Sequence, residues 1–138
     1  MDRAAFERLV AEALTDIPDE FRRAMRNIAI IVEDEPSPQL LAEMDLQPPD
    51  TLFGLYQGTP LTERDATFGN ALPDRILLFQ GPHEREAEDH EDLIVSIAET
   101  LIHEIGHYFG MSEEEIQEVE EHYWHSFAPD DDDEDAPR

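Results

Sequence analysis

Cysteine is absent from the 138-residue chain, and so is lysine: all nine basic residues are arginine. Without cysteine there is no disulfide framework, no thiolate zinc site and no thiol nucleophile. Any metal held by this chain must sit on His, Asp or Glu. Positive charge is scarce altogether, with nine basic against 35 acidic residues and a formal net charge of -26. Nucleic acid, phosphoinositides and anionic membrane surfaces would all be repelled. No run approaches the ~18 apolar residues that a membrane helix needs. The opening residues, Met1-Asp2-Arg3-Ala4-Ala5-Phe6-Glu7-Arg8, carry two acids and no apolar stretch, so they do not read as a signal peptide. A soluble, cytoplasmic protein is the expectation, with neither nucleic acid nor membrane among its partners.

The length predicts one domain with enough chain to bury a core. Its expected extent is residues 1–127, followed by an acidic disordered tail over 128–138. The tail holds a run of six acids, Asp130-Asp131-Asp132-Asp133-Glu134-Asp135. Such runs repel themselves and cannot bury apolar surface. Without residues 129–138 the chain still carries 29 acids against eight arginines, a net of -21. The body itself is therefore acidic.

Helical spacing of Phe6, Leu9, Val10, Ala13 and Leu14 predicts a first helix over 2–14, with Asp2 as its cap. A second short helix is expected over Asp16–Arg26, with Pro18 in its first turn. The β-branched run Ile28–Val32 predicts a buried strand. Residues 39–44 suit a helical turn. Leu52–Tyr56 and Arg75–Phe79 are further strand candidates, with a loop over 58–74 between them. From about Glu88 the apolar residues Leu93, Ile94, Ile97, Ala98, Leu101, Ile102, Ile105 and Phe109 form a wide helical face. Gly110 stands where a helix end wants a left-handed residue. Ser112 and Glu115 form a capping-box pattern that opens a last helix with the stripe Ile116, Val119 and Tyr123.

The central helix contains His103-Glu104-Ile105-Gly106-His107. Histidines at i and i+4 lie on one helix face, one turn apart. Both imidazoles can reach one cation, at the ~2.0–2.1 Å usual for zinc. The carboxylate of Glu104 falls beside them and can take a proton from metal-activated water. With six His and 20 Glu in the chain, composition alone yields this string in roughly one such sequence in thirty. Adding Gly110 and the acid Glu113 at their offsets lowers that to below about one in a thousand. A catalytic zinc wants three protein ligands and an open position. Gly110 lets the chain reverse, so that Glu113 can swing back as the third ligand. Glu114 and Glu115 are its rivals, with Glu115 expected in the cap and Glu114 pointing elsewhere. Ser96, Glu99 and Thr100 share the side of the helix that carries the two histidines. Glu99 or Thr100 is expected to accept the second ring N–H of His103; the alternative is a solvent-facing edge.

His103 to Glu113 reads HExxHxxGxxE, which resembles the extended metzincin-type motif with an acid in place of the third histidine. More closely, the chain resembles a family of small bacterial zincin-like proteins, described as possible zinc metallopeptidases. The resemblance lies in Ile102–Ser112, Gly54-Leu55-Tyr56 and Pro73-Asp74-Arg75-Ile76, and covers roughly residues 1–125. It implies zinc on His103, His107 and Glu113, with Glu104 as general base. It also implies an α+β, minimal zincin-like fold. A short mixed β-sheet would pack against the central motif helix, with flanking helices and an edge strand bordering the cleft. One departure stands out: full metzincins carry a methionine turn downstream, whereas the last methionine here is Met111, inside the motif.

The function expected is that of a zinc-dependent metallopeptidase acting on a peptide or protein substrate. The alternative is a non-enzymatic zinc-binding or protein-interaction domain with a vestigial or structural site. His122 and His125 read as surface residues, Tyr56 and Trp124 as packing residues, and His83 and His90 carry no assigned role. The strand Leu52–Tyr56 could line the cleft and hold an extended peptide.

Overall fold

The computed structural model describes residues 1–47, 49–58 and 74–127, the last four as backbone only. The expected loop over 58–74, the tail over 128–138, Pro73, and the side chains of Trp124 and His125 therefore lie outside it or nearly so.

Helix α1 (Arg3–Leu14) is capped as its sequence demands: Asp2 Oδ1 accepts the Ala5 N–H at 2.8 Å. Its buried stripe, Phe6, Leu9, Val10 and Ala13, packs on the long helix near the C-terminus. Helix α2 (Asp19–Ala24) starts after Pro18 and runs into a 3₁₀ turn over Met25–Asn27. Strand β1 (Ile28–Glu33) follows, then α3 (Pro38–Glu43), β2 (Gly54–Gln57) and β3 (Asp74–Phe79). The sheet order is β1-β3-β2, with β1 parallel and β2 antiparallel to β3. The central strand β3 buries every side chain except Arg75, as a strand covered on both faces must. Strand β1 departs from the buried strand expected of its composition. It lies at an edge, and although Ile28 and Val32 are buried, Ile31 is 36% exposed. Arg3 clasps its end, donating to Val32 O at 2.6 Å and to Asp34 Oδ1 at 2.7 Å.

Helix α4 (Gln80–Glu86), which the sequence pattern does not announce, leads to α5 (His90–Tyr108). Asp89 caps α5 by accepting the Asp92 N–H at 2.8 Å. Leu93, Ile94, Ile97, Ala98, Leu101, Ile102 and Ile105 are all buried, which makes α5 the axis of the core. Its end is closed by a Schellman pair: Gly110 N–H donates to His107 O and Met111 N–H to Gly106 O, both at 3.0 Å. Gly110 has φ +77°, the left-handed conformation in which a side chain is costly. Helix α6 (Glu113–Phe127) opens on a reciprocal capping box. Glu115 N–H donates to Ser112 Oγ at 3.1 Å, and Ser112 N–H donates to Glu115 Oε1 at 2.8 Å. Among the described residues no helix is long and apolar enough to cross a membrane.

His83, on α4, is fully buried against the rings of Phe6 and Phe53, with Nδ1 2.8 Å from Ser96 Oγ of α5. Ser96 is thus spent on a buried histidine. Burial holds the His83 imidazole down at about 4 from its usual 6.5. The unfolded chain then binds more protons than the fold between pH 4 and 6.5, so stability rises with pH across that window. From pH 7 down to 5 the expected loss is about 2 kcal/mol, at ~1.4 kcal/mol per pKa unit. Urea unfolding at the two pH values measures it. His83→Gln, which fits a similar space without titrating there, should remove this part of the acid slope; an unchanged slope would place the acid sensitivity elsewhere.

Candidate metal centre

The motif histidines sit on α5 where it faces both α6 and β2. Their rings stand 5.0 Å apart, nearly perpendicular. Glu113, the first residue of α6, brings one carboxylate to both of them. Its Oε1 is 3.4 Å from His103 Nε2, and its Oε2 is 3.4 Å from His107 Nε2. The distances carry information. A hydrogen bond from a charged imidazole to a carboxylate closes to ~2.7–2.9 Å. Ligands around a tetrahedral zinc with ~2.0–2.1 Å bonds lie about 3.3 Å from one another. At 3.4 Å the carboxylate stands at ion-pair distance from each ring, near enough for one cation to be shared with both. Two imidazole nitrogens and one carboxylate are also the donor set that suits zinc. Glu114 is exposed and Glu115 is held in the cap.

Glu104 is the second carboxylate at the centre. It is buried, and its Oε1 accepts the Tyr56 main-chain N–H at 2.8 Å. Burial pushes its carboxyl up to about 7, opposed by that N–H and by His103. The ligating atoms of His103, Glu104 and His107 lie within 4.8 Å of one another. Two acids therefore compete for the place beside the histidines. Glu113 stands 3.4 Å from a ring nitrogen of each histidine, whereas Glu104 is tethered to the strand by the Tyr56 N–H. Burial also lowers the pKa of His107, aided by His103 and opposed by Glu113, which favours the neutral, ligating form.

The two helices meet this closely because position 106 has no side chain. A Cβ on Gly106 would lie 2.5 Å from Ile116 Cγ1 and 2.8 Å from its Cδ1. Ile116 itself is fully buried. A cleft of about 650 Å³ opens over the histidines, lined on one side by Leu52, Leu55 and Tyr56 and on others by Met44, His107 and Met111. A smaller pocket of about 300 Å³ continues past His103 to Glu99, Thr100 and Glu120.

Not every expected contact forms as anticipated. The acid at His103 Nδ1 is Glu120, whose Oε2 is 3.4 Å away. Glu99 and Thr100, expected in that place, line the same small pocket as His103 and Glu120. Tyr56, expected only to pack, holds Glu104 through its main chain and gives its hydroxyl to Asp74 at 2.9 Å. The sequence signal for Glu120 was its offset of seven from Glu113, two turns along the same face of α6. A main-chain N–H leaves no sequence signal at all. His90 and His122 are exposed.

A helix bearing paired histidines, an acid returned from the next helix and a short mixed sheet alongside define a zincin-like architecture. The chain belongs to the zincin-like metallopeptidase family, whose sequence model matches residues 25–123. The solved structure of a conserved hypothetical protein from Thermo thermophilus is similar at 22% identity and a TM-score of 0.51. The match covers 79% of this chain and 94% of that one. At that identity the likeness speaks for the fold. No curated protein matches the chain.

Proposed function

We propose that the protein is a zinc-dependent peptidase in which His103, His107 and Glu113 hold the metal and Glu104 is the general base. The observation that carries this reading is the carboxylate of Glu113 lying 3.4 Å from both Nε2 atoms, with Glu104 beside them in an open cleft. When bound, zinc supplies Lewis acidity toward a carbonyl and lowers the pKa of water to near 7.

The remaining work falls to the chain. The Tyr56 N–H occupies Glu104 Oε1, which leaves Oε2 to take the proton of the attacking water. As the C–N bond breaks, that proton passes to the amine nitrogen, and Glu104 is again a carboxylate. Strand β2 pairs with β3 on one side and lines the cleft on the other. An extended peptide or protein segment laid along β2 would be carried past Glu104.

A structural zinc site is the second reading, favoured by Glu104 lying within ligand reach of both histidines. With four protein ligands no open position would remain. The test joins zinc titration of the purified protein with digestion of an unbiased peptide library. Stoichiometric zinc and zinc-dependent cleavage are expected; a protein that takes up no zinc would overturn both readings.

A further inference from the structure

Glu120 has no part in the chemistry above, yet it occupies an unusual place for an acid on this surface. Glu113, Ile116, Glu120 and Tyr123 fall within about 80° of arc on α6 at 100° per residue. Ile116 and Tyr123 are buried at 0% and 2% exposure and anchor the helix to the core. Glu113 and Glu120 ride on the same face and are turned toward α5. Both reach the same imidazole: Glu113 Oε1 is 3.4 Å from His103 Nε2, and Glu120 Oε2 is 3.4 Å from His103 Nδ1. The side chain of Glu120 is 27% exposed, whereas the nearby Glu118 is exposed to solvent. A chain with so much negative charge gains nothing by withdrawing one more carboxylate from water, unless a positive or donating group awaits it. The group that awaits it is the Nδ1 side of His103.

We infer that Glu120 is a positioning residue for the metal centre: standing 3.4 Å from Nδ1 of His103, it closes onto the Nδ1–H when the metal binds and so commits Nε2 to ligation. This rests on the zinc reading of the site. A neutral imidazole carries one proton and can place it on either nitrogen. With an acceptor fixed at Nδ1 the proton stays there, and the Nε2 lone pair is left facing His107 and Glu113. The carboxylate also limits ring rotation and raises the basicity of the coordinating nitrogen. Helix α6 therefore delivers both a ligand and the brace for another ligand, from one face and in one docking event. A residue of this kind acts through His103 and touches no substrate.

The test uses the full chain and zinc alone, with affinity measured by competition against a chromophoric chelator. Glu120→Ala should weaken zinc binding by about 10–100-fold, the usual range for loss of such a partner. Glu120→Gln keeps the length and an acceptor oxygen, so it should retain more affinity than the alanine variant. Glu118→Ala removes the same charge from an exposed position and should leave affinity unchanged. In the zinc-loaded wild type, nitrogen-resolved NMR should show His103 protonated at Nδ1, with slow exchange of that proton; Glu120→Ala should speed the exchange. Equal affinities across the three variants, or an Nδ1 proton equally protected without Glu120, would overturn the assignment while leaving the zinc site standing. A wild type that takes up no zinc would instead overturn the zinc reading and this inference with it.

Discussion

Replacing Glu104 with Gln is expected to reduce peptide hydrolysis by about 10²–10⁴-fold, the range typical of removing a general acid–base group, while zinc still binds. The amide is nearly isosteric, and its oxygen can still accept the Tyr56 N–H that Glu104 now receives at 2.8 Å. It cannot take up the proton of the attacking water. His103, His107 and Glu113 are untouched by the change, so the metal should remain near stoichiometric. The paired readout also separates the two readings of the site. If Glu104→Gln loses zinc, then Glu104 is itself a ligand and the centre is structural. If zinc stays and cleavage is unaffected, some other group carries the proton and the assigned role is wrong.

Filling position 106 should have an effect of similar scale through an entirely different route. Gly106→Val places a branched side chain where even a single Cβ would come within 2.5 Å of Ile116 Cγ1. The neighbour is fully buried. Overpacking of this kind typically costs ~1–3 kcal/mol, and relief requires α6 to move outward. That motion withdraws Glu113 and Glu120 together from the His103 ring. Zinc affinity should therefore fall on the order of 100-fold or more, since loss of an outer partner alone costs about 10–100-fold. Ile116→Ala in the same chain should return much of it by vacating the space. A double-mutant cycle on zinc affinity quantifies the exchange, with coupling of roughly 0.5–3 kcal/mol expected for residues in contact. Additive effects would mean that α6 does not depend on this contact to reach the histidines.

The features that were legible in the sequence are those made by neighbours along the chain. Asp2, Asp89 and the Ser112–Glu115 pair cap their helices, because capping is decided within a turn. Gly110 ends α5 for an equally local reason. The pairing of His103 with His107 follows from helical periodicity. That Glu113 would lie near the two histidines could be anticipated because only a short reversal separates it from the motif. What escaped depends on contacts between distant segments. That β1 would lie at an edge is a property of sheet order, to which a β-branched run is blind. Helix α4 is short, contains Gly81 and Pro82, and is held partly through His83 and Ser96 across to α5. Glu120 meets His103 across a helix pair seventeen residues apart, and Tyr56 meets Glu104 across forty-eight. Such partners become visible only when the packing that joins their elements is known.

The reversal between α5 and α6 has a consequence for which changes in length the protein can absorb. Surface connections usually tolerate added residues with little penalty. Here the passage from Phe109 to Ser112 is closed by two main-chain bonds at one end and a reciprocal side-chain cap at the other. One inserted residue would turn the face of α6 by about 100° relative to α5. Glu113, Ile116 and Glu120 would leave their places at the same time. This short turn is thus where an insertion or deletion should be least survivable, and where a lineage carrying this centre has the least freedom to drift.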